Sequence, residues 1–224
     1  MAGEASGDLH GATLARALVT LAPGLRLAGM GGSRMAAEGV HLLRRAERVT
    51  VVGGTEALGR LPALWQAFRA LRDQLRQRRP GVLVLIDFPE FNMRLARAAR
   101  RLRVPVVYYI APQVWAWRRG RVRAMARDVS RVLAIFPFEV SVYEEAGVPV
   151  EFIGHPLLDV LPPLSRETAR AGLATDDETL VGLLPGSRDA EVRRLLPVLL
   201  EAARRILARR PRTRFALAPA PATP

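Results

Sequence analysis

The strongest constraint on this chain is an alternation between two periods. Six short runs rich in aliphatic and β-branched residues can be read along it: Leu25–Gly29, Val82–Asp87, Val104–Ile110, Arg131–Phe136, Val150–Ile153 and Leu180–Leu184. Between them lie segments whose apolar residues recur every three or four positions, as in Leu61, Leu64, Trp65, Phe68, Leu71 and Leu75. Near-continuous apolar strands are those covered on both faces, and helical connections are what carry a chain from one parallel strand to the next. The pattern predicts an α/β fold, a doubly wound parallel sheet of Rossmann-like type.

Composition narrows what such a fold can do. Half of the 224 residues are hydrophobic, enough for a sizeable core and too many for global disorder. No apolar run approaches the ~18 residues of a membrane span, and the opening residues do not resemble a signal peptide. Cysteine is absent, which removes disulfides, thiolate metal sites and cysteine nucleophiles. All 34 basic residues are arginine, against 21 acids, for a formal charge of +13. Between Arg94 and Arg131 eleven arginines face a single acid, Asp128. A patch of this kind attracts phosphate on nucleic acid, nucleotide or anionic lipid, although solvated helix faces account for any one arginine equally well.

Organisation follows from the turn signals. Residues Gly3-Glu4-Ala5-Ser6-Gly7-Asp8 form a glycine-rich turn into a helix, which normally follows a buried strand; only Met1 and Ala2 precede it. Pro162-Pro163 marks a linker, and Arg214–Leu217 reads as a strand near the other end. We therefore expect a first domain over 1–156 that lacks its opening strand and a linker over 157–168. The start of a second, truncated domain is expected over 169–224.

Several residues stand where chemistry is possible. Asp87 ends a buried run, at the sheet edge where open α/β folds bind ligands, and could act as a general base. The competing role is capping of the next helix, with Pro89 and Asn92 in support. Glu4, Ser6 and Asp8 crowd a helix N-terminus able to hold an anionic or hydroxylated substrate; Ser6 or Asp8 could equally be plain caps. The glycines at 3, 7 and 11 are spaced by four and do not form a dinucleotide fingerprint. Gly186, Ser187 and Arg188 repeat the strand-turn-helix device after Val181–Leu184, suited to a diphosphate or to an ordinary βα turn. His155 lies between Gly154 and Pro156, to touch ligand or to pack at a hinge. Trp115 and Trp117 sit among arginines, for stacking, sugar or acyl contact, or packing. Leu58, Leu61, Leu64, Trp65 and Phe68 share a helical stripe bordered by arginines, suited to sheet packing or to an acyl chain or bilayer interface. No histidine or carboxylate cluster has metal-ligand spacing, and Asp-x-Asp does not occur, so no metal is expected.

Six segments in series carry a resemblance: Ala2–Asp8; Ile86-Asp87-Phe88-Pro89-Glu90-Phe91-Asn92; Tyr109–Arg118; Phe136-Pro137-Phe138-Glu139; Phe152-Ile153-Gly154-His155-Pro156; and Leu183-Leu184-Pro185-Gly186-Ser187-Arg188. In this order and spacing the chain resembles the lipid-A-disaccharide synthase family over essentially its whole length. Two departures are Ala111 and Gln113, where the family usually has serine.

The resemblance implies an inverting, metal-independent glycosyltransferase of the two-Rossmann-domain type. It would join UDP-2,3-diacylglucosamine to 2,3-diacylglucosamine 1-phosphate through a β-1′,6 link and release UDP, in lipid A biosynthesis. It implies Asp87 and Glu4 as catalytic residues, and Ser6, Asp8, Asn92, Trp115, His155, Gly186, Ser187 and Arg188 as substrate-binding ones. Leu58, Leu61, Leu64, Trp65 and Phe68 become the acyl or membrane contact. No cofactor is implied, since the UDP-sugar is a substrate. The partners are the two acylated sugars and an anionic membrane surface, with no nucleic acid, and a homo-oligomer of the completed protein stays open. The location is cytoplasmic, peripheral on the inner face of a bacterial inner membrane, and the truncated chain is expected to be inactive alone. The competing reading is a basic nucleotide- or nucleic-acid-binding α/β module, which explains the arginines but not the acids at strand ends.

Overall fold

The computed structural model describes residues 1–46, 61–112, 119–161, 163–187 and 189–218. These residues divide into two compact units, one ending at Val160 and one beginning at Leu161. Every paired strand is parallel, as the two-period alternation predicts.

In the first unit β3 (Leu83–Ile86), β4 (Val106–Tyr109), β5 (Arg131–Ala134) and β6 (Val150–Phe152) pair in chain order. A second ladder joins β1 (Ala28–Gly31) to β2 (His41–Arg45). Met1 and Ala2 lie between the two ladders. The Met1 nitrogen donates to the Val84 carbonyl at 2.8 Å, the Ile86 N–H donates to the Met1 carbonyl at 2.9 Å, and the Ala2 N–H donates to the Met30 carbonyl at 2.9 Å. Two residues thus hold the place of a strand, and the ladders become one sheet in the order β2, β1, Met1–Ala2, β3, β4, β5, β6.

Side chains alternate across this sheet, as a period of two requires, and they feed two cores. On one face Met30, Leu85, Val106, Tyr108 and Val132 pack with α3 (Leu61–Arg78), α4 (Pro89–Arg101) and α5 (Arg119–Asp128), through Leu71, Leu75, Leu95, Ala99 and Met125. On the other, Ala2, Ile86 and Tyr109 pack with Ala12 and Ala15 of α1 (Ala5–Leu21) and with Met35 of α2 (Ser33–Ala37). Helices on both faces make the sheet doubly wound. Helix α6 (Pro137–Glu144) follows β5 and sends Tyr143 into the first core.

The strand β2 and the short α2 were not read from sequence. The first strand lies at Ala28–Gly31, later than the expected Leu25–Gly29, because Leu25 is exposed while Gly29–Gly31 are buried. The stretch 157–168, expected as a linker, contains two helical turns, α7 (Leu157–Val160) and α8 (Arg166–Arg170). The Ser165 hydroxyl caps α8 by accepting from the Thr168 N–H at 3.1 Å.

In the second unit β7 (Thr179–Leu183), α9 (Asp189–Arg209) and β8 (Thr213–Leu217) form a βαβ element with five residue pairs in parallel register. Among the described residues no helix is long and apolar enough to cross a membrane.

The two-core reading has a direct check by urea denaturation of the first unit within the chain. Leu85 has no exposed surface, so Leu85→Ala is expected to cost about 2–5 kcal/mol. Leu21 on α1 is 84% exposed, and Leu21→Ala is expected to stay within about 0.5 kcal/mol of the parent.

Candidate functional site at the carboxyl edge of the sheet

The strand order reverses at Met1–Ala2: the chain next builds β1 and β2 on one side, then β3 to β6 on the other. In open parallel sheets ligands bind outside the carboxyl ends of the strands at such a switch. The two loops that leave the switch carry Glu4 and Asp87.

Asp87 follows the last residue of β3 and is half-buried. It does not cap α4: the N-cap position belongs to Phe88, with no side-chain cap bond. Among the described residues no hydrogen bond or ion pair reaches its carboxylate, so both oxygens remain available. The backbone here is unusual, because Asp87 (φ +47°) and Phe88 (φ +48°) are consecutive non-glycine residues in the left-handed region. Each costs about 1–2 kcal/mol relative to ordinary backbone. The Asp87 carbonyl accepts from the Tyr108 hydroxyl at 2.8 Å and from Asn92 Nδ2 at 2.6 Å.

Asn92, expected at the substrate, has no exposed surface. Its amide nitrogen is engaged by the carbonyls of Asp87 and Ile86, the latter at 3.2 Å. It fastens the loop that presents Asp87, and a ligand at the surface does not meet it.

Phe88 couples the two loops. Its ring lies over Gly3 so closely that a Cβ there would stand 2.3 Å from ring carbon Cδ1. It also stacks on Phe91 with centroids 5.6 Å apart. Only glycine at position 3 admits this approach, which brings the Glu4 turn against the Asp87 turn. Glu4 holds the N-cap position of α1 through its backbone, with no side-chain cap bond; Ser6 in the first turn is exposed.

Asp8 corrects the sequence reading. It is buried, and its carboxylate accepts the N–H groups of Gly32 at 2.6 Å, Arg34 at 3.1 Å and Met35 at 3.1 Å. This carboxylate caps α2 and ties α1 to the loop after β1. It is spent inside the protein and is not offered to a substrate.

His155 follows β6, half-buried, with its ring 5.5 Å from that of Phe136 and its Nδ1 accepting from the Leu157 N–H at 3.2 Å. A residue that sequence reasoning missed, His10 on α1, belongs to the same group. It is 7% exposed, its Nδ1 is buried with no hydrogen-bond partner among the described residues, and it interacts electrostatically with both His155 and Asp87. Burial, and next the neighbouring His155, lower its pKa, while the Asp87 charge acts in the opposite direction. Its place beside a glycine on α1 is a signal, but one lone histidine on a helix usually marks packing.

In the second unit the turn after β7 has Gly186 at φ +112° and an exposed Ser187. The Ser187 N–H donates to Glu191 Oε2 at 3.1 Å, so a carboxylate of this chain already sits at that turn. Trp115, Arg188 and Leu58 lie outside the described residues.

The apolar stripe of α3 divides. Leu61 and Trp65 are 55% and 60% exposed, with the Arg69 guanidinium 4.5 Å from the Trp65 ring centre. Leu64 and Phe68 are half-buried against the first core, Phe68 packing edge-on to Phe91 at 6.1 Å.

Part of the arginine run faces elsewhere. A cavity of about 320 Å³ at the amino ends of β4 and β5 is lined by Arg100, Arg103, Arg127, Asp128 and Ser130 among others. Asp128 is buried and pairs with Arg127 at 2.6 Å and Arg100 at 3.5 Å; the Arg127 hydrogen bond chiefly holds its carboxyl below the ordinary value. This basic surface and the carboxyl-edge site occupy opposite edges of one sheet.

A family model described as lipid-A-disaccharide synthetase matches residues 1–222. Among curated proteins, the lipid-A-disaccharide synthase of Myxococcus xanthus (strain DK1622) is 50% identical over 94% of this chain and 56% of its own length. That of Geobacter sulfurreducens is 49% identical over 97% of this chain and 57% of its own length. The Anaeromyxobacter dehalogenans (strain 2CP-C) protein of the same name is 43% identical over 99% of this chain and 58% of its own. The chain thus spans a little over half the length of the curated relatives it matches.

The environment of His10 sets a pH dependence. Its folded pKa is lowered, so below about pH 6.5 the unfolded chain binds the proton that the folded chain resists. Stability from this group is complete above that value and is lost as pH falls toward the folded pKa. His10→Gln is expected to flatten that part of the stability curve in urea denaturation, and ring NMR should show His10 titrating below the ordinary histidine value. An unchanged slope would assign the effect to other groups.

Proposed function

The chain belongs to the lipid-A-disaccharide synthase family, and from that premise we propose that the activity it serves is inverting, metal-independent glycosyl transfer. The reaction joins UDP-2,3-diacylglucosamine to 2,3-diacylglucosamine 1-phosphate and releases UDP. The observation that carries this reading is the half-buried Asp87 carboxylate at the switch point, which no hydrogen bond or ion pair reaches among the described residues. As general base it takes the proton of the acceptor 6-hydroxyl. The hydroxyl oxygen attacks the anomeric carbon from the face opposite the diphosphate, the bond from that carbon to the UDP oxygen breaks, and its electron pair leaves with UDP. The proton ends on Asp87.

The remaining residues take roles around this step. Glu4 and Ser6 present polar groups at the adjoining turn, and His10 of α1 interacts with Asp87 and with His155 of the loop after β6. The turn at Gly186 and Ser187 is assigned the donor diphosphate, with Arg188 beside it in sequence. Trp115 is assigned to the substrate from sequence alone. Leu61 and Trp65 are assigned the acyl chains or the surface of the inner membrane, to which exposed arginines add attraction for lipid phosphate.

In the full-length enzyme, Asp87→Asn is expected to lower kcat by roughly 10²–10⁴-fold with KM little changed, since a general base acts in the transition state. Steady-state kinetics with both substrates measure this; retained activity would make Asp87 structural. Leu61→Ser and Trp65→Ser are expected to weaken binding to anionic phospholipid vesicles, with a melting temperature close to the parent's. Unchanged sedimentation with vesicles would remove α3 from the membrane contact.

A further inference from the structure

We propose that Tyr108 is a positioning residue for the transfer step: its hydroxyl, together with Asn92, holds the Asp87 carboxylate in place by pinning the Asp87 backbone. The inference rests on the reading of Asp87 as the base.

The geometry begins with two consecutive left-handed residues, Asp87 and Phe88. A strained pair of this kind persists only where the surroundings over-determine it. Here the Asp87 carbonyl accepts two side-chain hydrogen bonds, from the Tyr108 hydroxyl at 2.8 Å and from Asn92 Nδ2 at 2.6 Å. Both donors have no exposed surface, so the bonds are not exchanged for water. Tyr108 stands in register with Leu85 on the neighbouring strand, two residues before Asp87. A phenol is long enough to span that offset, and phenylalanine keeps the ring but not the bond. Direction at Cα follows from the backbone: a carbonyl fixed in this orientation fixes where the Asp87 Cβ points. Desolvation, and next the Asp87 charge, push the Tyr108 hydroxyl well above its ordinary pKa, so it remains a donor at any working pH.

A related tyrosine-to-loop bond occurs without a candidate base. After β4, Ile110 is left-handed (φ +57°) and the Pro112 carbonyl accepts from the buried Tyr143 hydroxyl at 2.9 Å. Tyr143 is therefore a matched control, a buried tyrosine bonded to a loop carbonyl at the same sheet edge.

The test is kinetic, on the full-length enzyme. Tyr108→Phe is expected to lower kcat by about 10–100-fold, the scale of a misplaced reacting group, with both KM values near the parent's. In a double-mutant cycle, Tyr108→Phe in the Asp87→Asn background should cause no further loss, because a positioning residue has nothing left to position. Tyr143→Phe should leave kcat nearer the parent's than Tyr108→Phe does. Parental kcat in Tyr108→Phe, an equal loss in Tyr143→Phe, or an additive loss in the cycle would overturn the proposal. Should Tyr108→Phe fail to fold, Asn92→Ser removes the other donor to the same carbonyl and is held to the same kcat and cycle outcomes. If Asp87→Asn itself retains activity, the base assignment fails instead, and that result is read from a separate arm.

Discussion

Three backbone hydrogen bonds at Met1 and Ala2 decide the architecture of the first unit. They join Met1 to Val84 and Ile86 on one side and Ala2 to Met30 on the other, turning two ladders into one sheet. Because the chain leaves this position toward one side and returns to the other, the loops carrying Glu4 and Asp87 diverge around the same point. The packing follows suit: Ile86 turns toward α1, and Leu85 toward α3 and α4. With little side-chain bulk on the turn at Gly3, the ring of Phe88 can close the gap between the loops.

The two-period alternation made most of this legible. Apolar runs such as Val82–Asp87 located the strands because parallel strands are buried on both sides, and for β3 to β7 the ends differ by at most two residues, against three at the start of β1. His41–Arg45 escaped notice for the converse reason: among the described residues it pairs with one strand only, it carries no β-branched residue, and its side chains are exposed or half-buried. A strand held mainly by backbone bonds leaves little trace in side-chain pattern.

Within the site, sequence could name acidic residues but not say where their charge is spent. Asp8 and Asp87 both stand beside helix starts. One carboxylate is consumed by three N–H groups of a segment more than twenty positions away, and the other accepts no hydrogen bond among the described residues. That distinction depends on long-range contact, which local spacing does not encode. The same holds for His10 and Tyr108, which read as ordinary members of a helix face and a strand until the fold places them beside Asp87.

The Glu191 carboxylate at the Ser187 N–H changes how the second unit's turn must be understood. A negatively charged group arriving at that N–H does not meet a vacant donor; it exchanges with one of the chain's own. The free energy of such an encounter is a difference between two anions competing for one set of dipoles, with the displaced carboxylate regaining its hydration.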